Sequence, residues 1–123
     1  MIGMTVDADD FKEAMNKAEF TEQEVMDILI AGGVVMMSTQ KLLVPVASGA
    51  TLGSIHIEPS GNKAEILVGA STDYSPFIEY GTSNPNYPVQ PFIVPSATGR
   101  SKANTIRAVS NAILAVLRDK GLI

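Results

Sequence analysis

"TEQEVMDILIAGGVVMMSTQKLLVP", residues 21–45, is the stretch on which the fold turns. Thr21 is followed three residues later by Glu24, so Thr21-Glu22-Gln23-Glu24 reads as a capping box that opens a helix. Val25, Ile28, Leu29, Val35, Met36 and Leu42 then form an apolar stripe at helical spacing. Gly32-Gly33 breaks the chemistry but not the phase. Each glycine costs about 1 kcal/mol against alanine in a helix interior. Because the apolar pattern resumes in register, the reading is one helix with a close neighbour at the glycines. Pro45 disfavours helical geometry at Val44, so the helix should stop near Leu43.

Such a helix needs a partner layer, and the residues downstream supply one. "SIHIE" alternates, with Ile55 and Ile57 on one face and Ser54, His56 and Glu58 on the other. "AEILV" alternates too, and "PSGN" between them offers turn residues for a hairpin. "FIEY" reads as a third strand leading to Gly81, and "FIVP" as extended, because Pro95 pushes Val94 towards β geometry. A last helix runs from about Gly99 to Lys120 on the stripe Ile106, Val109, Ile113, Val116 and Leu117, with Gly121 as its stop. Upstream, Asp7 is placed to cap a short acidic helix with Phe11, Met15 and Ala18 on one face. The expected order is α-α-β-β-β-α. That is an α+β domain, an antiparallel sheet of three to four strands packed against a long helix in the N-terminal half and a C-terminal helix. Residues 1–20 form an acidic N-terminal segment of this single domain of 123 residues, and 21–123 its core.

Composition narrows the function classes. The chain is 46% hydrophobic and 18% charged, which excludes global disorder and leans towards extra burial in an oligomer. The longest apolar run, Ile28 to Met37, is half of the roughly 20 residues that span a bilayer, so no membrane partner is expected. The first ten residues lack the basic and apolar regions of a secretory signal. Absence of cysteine rules out disulfides and thiolate zinc sites. The net charge of −4 argues against nucleic acid as the main partner. That charge is split. Residues 1–27 hold eight acids against Lys12 and Lys17, whereas Arg100, Lys102, Arg107, Arg118 and Lys120 face only Asp119 near the other end. The split reads either as two solvated faces or as head-to-tail complementarity between identical subunits.

Chemistry-bearing patterns are few. His56 is the single histidine, and with Glu58 it makes two metal ligands where a site needs three or four. Ser48 in "ASGAT" has no base fixed beside it, and "GATLGS" lacks the lysine and spacing of a phosphate loop. The N-terminal carboxylates are spaced for helix capping rather than acid–base work. No enzyme, cofactor or metal is expected.

The segment "YSPFIEYGTSNPNYPVQPFIVP", residues 74–95, holds five of seven prolines, five of seven aromatics and one charge, Glu79. Gly81 permits a sharp turn, and Pro85, Pro88 and Pro91 stiffen the loop before any contact forms. Tyr80, Tyr87 and Phe92 are favoured anchors at interfaces, or rings closing the domain's own core. Glu79 reads as an exposed strand acid or as the partner of a neighbour's Arg100 or Lys102.

Together with "VPVASGATLGSI", residues 44–55, this segment resembles the tail-completion, or head–tail joining, family of tailed bacteriophages. The matching residues are Pro45, Gly49, Ser54 and Ile55, then Glu79, Tyr80, Gly81 and Thr82, then Gln90, Pro91, Phe92 and Pro95. The resemblance runs from about Thr21 onward. It departs at Ala47-Ser48, where the family often has an acid and a threonine, and at Thr51-Leu52, where it often has Leu-Arg. The resemblance implies a virion structural protein, assembled in the host cytoplasm. It forms a ring, commonly hexameric, at the head-proximal end of the tail. Its partners would be its own copies, the tail-tube protein and the head connector, with DNA only as passing cargo. A connector or stopper component, or a small ligand-binding protein, is the alternative.

Overall fold

A computed structural model describes residues 2–7, 20–45, 49–61, 65–83 and 89–123. Three strands and five helices follow in the order β1 (Ile2–Asp7), α1 (Glu22–Leu43), α2 (Ala50–Ser54), β2 (His56–Pro59), β3 (Glu65–Ala70), α3 (Ser75–Tyr80), α4 (Ile93–Ser96) and α5 (Gly99–Asp119). The fold is α+β, an antiparallel sheet with a long helix and a C-terminal helix.

The sheet has the order β1-β3-β2. Ile2 pairs with Ala70, Met4 with Val68 and Ile57 with Val68, so the apolar alternation of three strands falls on one face. Ile66, Val68 and Ala70 on β3 are buried there. This corrects one expectation. The third strand is the N-terminal "IGMTVD", not "FIEY", and its last residue is Asp7. Residues 8–19, where the acidic helix was expected, lie outside the described residues.

α1 covers the sheet. Thr21 and Glu24 exchange both capping-box bonds, the Glu24 N–H donating to Thr21 Oγ1 at 3.1 Å and the Thr21 N–H to Glu24 Oε1 at 2.9 Å. The helix runs unbroken through Gly32-Gly33, and the two glycines face different neighbours. A Cβ at Gly33 would lie 2.7 Å from Ile66 Cδ1 in the sheet. One at Gly32 would lie 2.6 Å from Val109 Cγ2 on α5. Each glycine thus gives up helix propensity for close approach on its own side. Leu29, Met36, Ile66 and Val68 form the resulting core, with Phe20, Val25 and Ile57 packed at its margin. Leu42, assigned to the stripe by its spacing, is instead 85% exposed at the end of the helix, and Ile106 on α5 is exposed as well.

α5 packs antiparallel on α1. Lys120 Nζ meets Glu24 Oε1 at 2.9 Å at one end, and the Ser101 hydroxyl donates to Thr39 Oγ1 at 2.9 Å at the other. Fully buried Gln40 ties three layers together: its Nε2 donates to Val68 O and to Ser96 Oγ, both at 3.2 Å. By length and composition alone α1 could cross a membrane, a test that soluble core helices also pass.

Candidate interaction site

"SPFIEY" is helix α3, not a strand. Pro76 sits in its first turn, where the missing N–H has no helical partner to lose. Ser75, Ile78 and Glu79 turn inward at helical spacing, while Tyr74, Phe77 and Tyr80 turn outward. Glu79 is therefore neither an exposed strand acid nor free to reach a neighbour's Arg100 or Lys102. It is 3% exposed, and its carboxylate is taken up within the chain. Oε1 accepts the N–H groups of Phe92 at 2.8 Å and Ile93 at 2.7 Å, and Oε2 accepts that of Val94 at 3.1 Å. These amides open α4, whose capping residue Phe92 makes no side-chain cap bond. Glu79 thus caps from a distance a helix start that lacks a local cap.

The expectation of extended "FIVP" fails for the same reason. Pro95 falls inside the first turn of α4, where its lack of an N–H is harmless, and the Glu79 carboxylate fixes the amides before it. Between the two helices the chain turns at Gly81, whose φ of 91° disfavours side chains. Val89 returns over that glycine, with Cγ2 2.6 Å from where a Cβ would stand, and the Gln90 N–H donates to Ile78 O at 3.0 Å.

The residues that carry the family resemblance come together here. Val44 and Ile55 from the first segment share a core with Phe92 and Ile93 from the second, and Ile78 packs against them. Hydroxyls join the segments from outside. Thr51 and Thr72 side chains lie 3.1 Å apart, Thr72 bonds Ser75 in turn, and the Ser71 N–H donates to Ser54 Oγ at 3.1 Å. Gly49, with φ of 74°, leads into α2.

Phe92 is completely buried, so it closes the domain's own core and cannot anchor a partner. Tyr80 is 68% exposed, and Thr82, Gln90, Pro91, Arg100 and Lys102 are exposed too, with Pro95 half-buried. Tyr87 lies outside the described residues. Phe77, 56% exposed, and Tyr74 were missed as candidates; their i, i+3 spacing with Tyr80 would have revealed the aromatic face had the segment been read as a helix.

His56 Nδ1 lies 2.7 Å from Ser54 O and Nε2 2.9 Å from Glu58 Oε2. The Ser54 carbonyl, and then Glu58, raise its pKa, because the imidazolium donates to both. No group of three metal-ligating side chains occurs among the described residues. An open cleft of about 360 Å³ lies between Thr5, Met36, Ser96 and α5, lined by Lys102 and Thr105. It joins no nucleophile to a base. Compared with family models, with curated proteins and with solved structures, the chain matches none.

Proposed function

We propose that this protein is a phage neck component, a tail-completion subunit that assembles with its own copies at the head-proximal end of the tail and joins it to the head connector. One observation carries the reading. Glu79 of the Glu-aromatic-Gly-Thr part binds the backbone at Phe92 of the Gln-Pro-Phe part, so two halves of the resembling motif form one built unit. In that unit four of the motif residues have a physical task. Glu79 latches, Gly81 turns, Phe92 fills the core, and Tyr80 is left free on the surface beside Phe77. Exposed aromatics on a rigid frame suit docking to a large protein partner, because little side-chain entropy is lost on contact. The role is structural and calls for no catalysis. DNA passes through without being read.

The test is genetic. A stop codon in the gene, in a phage that carries it, should leave filled heads and complete tails that do not join. Adding the purified protein to such an extract should restore infectious particles. Joined particles formed without the protein would refute the reading. A connector or stopper role would instead show the protein co-purifying with unattached heads.

A further inference from the structure

The open cleft beside β1 holds polar groups that the described chain does not use. Its wall on α5 carries Lys102, Thr105 and Ile106, three and four residues apart and so on one side of the helix. Met36 of α1 and Ala97, just before α5, add apolar surface. Lys102 is exposed and forms no ion pair with a described residue. Thr105 is 9% exposed, and its hydroxyl oxygen is buried with no hydrogen-bond partner among the described residues. Its methyl is held at the seam where α5 meets Gly32 of α1. Ser96 differs. It lines the cleft too, but its hydroxyl donates to Ile93 O and accepts Gln40 Nε2. Buried polar atoms find partners with few exceptions, so an orphan hydroxyl in a cleft wall calls for one from outside the chain.

Charge says of what kind. Among the described residues no acid lines the cleft. The first turn of α5 has no acid either, and its capping residue Thr98 makes no side-chain cap bond. The positive end of the helix dipole and the Lys102 ammonium therefore add to one field beside the cleft. One lysine balances one negative charge, whereas a phosphate dianion asks for more donors. The volume of about 360 Å³ is near the small end of ligand sites, roughly 300–1,000 Å³. That fits a compact molecule and not a folded partner. Met36 has a flexible thioether side chain that adapts to an alkyl body.

We propose that this cleft is a binding site for a small amphipathic carboxylate. The head group pairs with Lys102 and accepts the Thr105 hydroxyl, and the alkyl body lies on Met36, Ala97 and Ile106. Because the Thr105 oxygen is buried, seating the head group turns that side chain to the second of the two χ1 wells a helix allows. The proposal does not depend on the neck reading.

Octanoate is the probe. Titrated into wild-type protein labelled with nitrogen-15, it should give saturable amide shifts at Thr5, Ala97, Lys102 and Ile106. Half-saturation should fall at about 1 mM, as suits a weak ligand of ten non-hydrogen atoms. Lys102→Gln, a surface change, should weaken binding about twofold to fivefold. Thr105→Val replaces the orphan hydroxyl by a methyl group. It should raise the melting temperature and yet weaken octanoate about fivefold. Octanol, with the same chain and no charge, should bind more weakly than octanoate, and inorganic phosphate should not displace it. Shifts that do not saturate, or that lie away from the cleft, overturn the proposal. Equal binding of octanol, or of octanoate to Lys102→Gln, would mean apolar adsorption and overturn it as well. Displacement by phosphate would replace it with a plain anion site. A Thr105→Val protein with higher stability and unchanged affinity would make the hydroxyl a packing defect and remove it from the site.

Discussion

Replacing Glu79 tests the central reasoning about the site. In Glu79→Ala the amides of Phe92 and Ile93 lose their acceptor in a buried setting, and that of Val94 in a half-buried one. A buried donor left without a partner costs about 1–3 kcal/mol, so two give about 2–6. Relief from holding a carboxylate out of water offsets part of that, and about 2–4 kcal/mol remains. Glu79→Gln keeps one carbonyl oxygen for Phe92 and Ile93 but turns an NH2 towards the Val94 N–H, donor against donor. Its expected loss is smaller, about 2–3 kcal/mol. A domain of this size is stable by roughly 6–18 kcal/mol, so both effects are measurable. Urea titration followed by circular dichroism reads them, and the m value should not change, since the same surface is exposed on unfolding. The predicted order is wild type, Gln, Ala. Losses below about 0.5 kcal/mol in both variants would mean that water replaces the carboxylate freely, and the latch would have no energetic meaning.

Three further outcomes follow from the geometry. Gly32→Ala should destabilise by about 1 kcal/mol despite the better helix propensity, because its Cβ meets the stiff, branched Val109; Gly33→Ala meets the mobile end of Ile66 and should be near neutral. Equal gains at both positions in thermal melts would contradict the close approach. His56, with its pKa raised above 6.5, contributes stability that is full below that value and fades as pH rises through the folded pKa. Against His56→Gln, wild type should gain less than about 1 kcal/mol on the acid side, because the pair is well exposed, and NMR titration of the one imidazole should place the midpoint above 6.5. Tyr80→Ala and Phe77→Ala should leave the melting temperature almost unchanged and impair head–tail joining; normal joining by the double variant would remove the aromatic face from the interface.

What was legible in the sequence was local. The α1 capping box, the β2–β3 hairpin and the α5 stripe each write their signal within a few adjacent turns, and Gly32-Gly33 announced a close neighbour because the pattern kept its phase. β1 was lost because six alternating residues beside an acidic run compete with a plausible N-cap at Asp7. α3 was misread because "FIEY" alternates in sequence while Ile78 and Glu79 turn inward together. The latch left no local trace, since its acceptor and donors stand 13 to 15 residues apart. A lone acid in an apolar segment was the available clue, and it pointed equally well to a neighbouring subunit.

The sheet order sets a timetable for synthesis. β1 leaves the ribosome before β2 and β3, yet its only strand partner among the described residues is β3, with Ile2 paired to Ala70 across 68 positions of chain. At about 5–20 residues per second the first strand waits roughly 3–14 s for its mate. Meanwhile α1 and the β2–β3 hairpin can already form from contacts that are close in sequence. The strand laid down first is therefore the last to join the sheet, and its six residues travel through the nascent chain's lifetime as an unpaired edge.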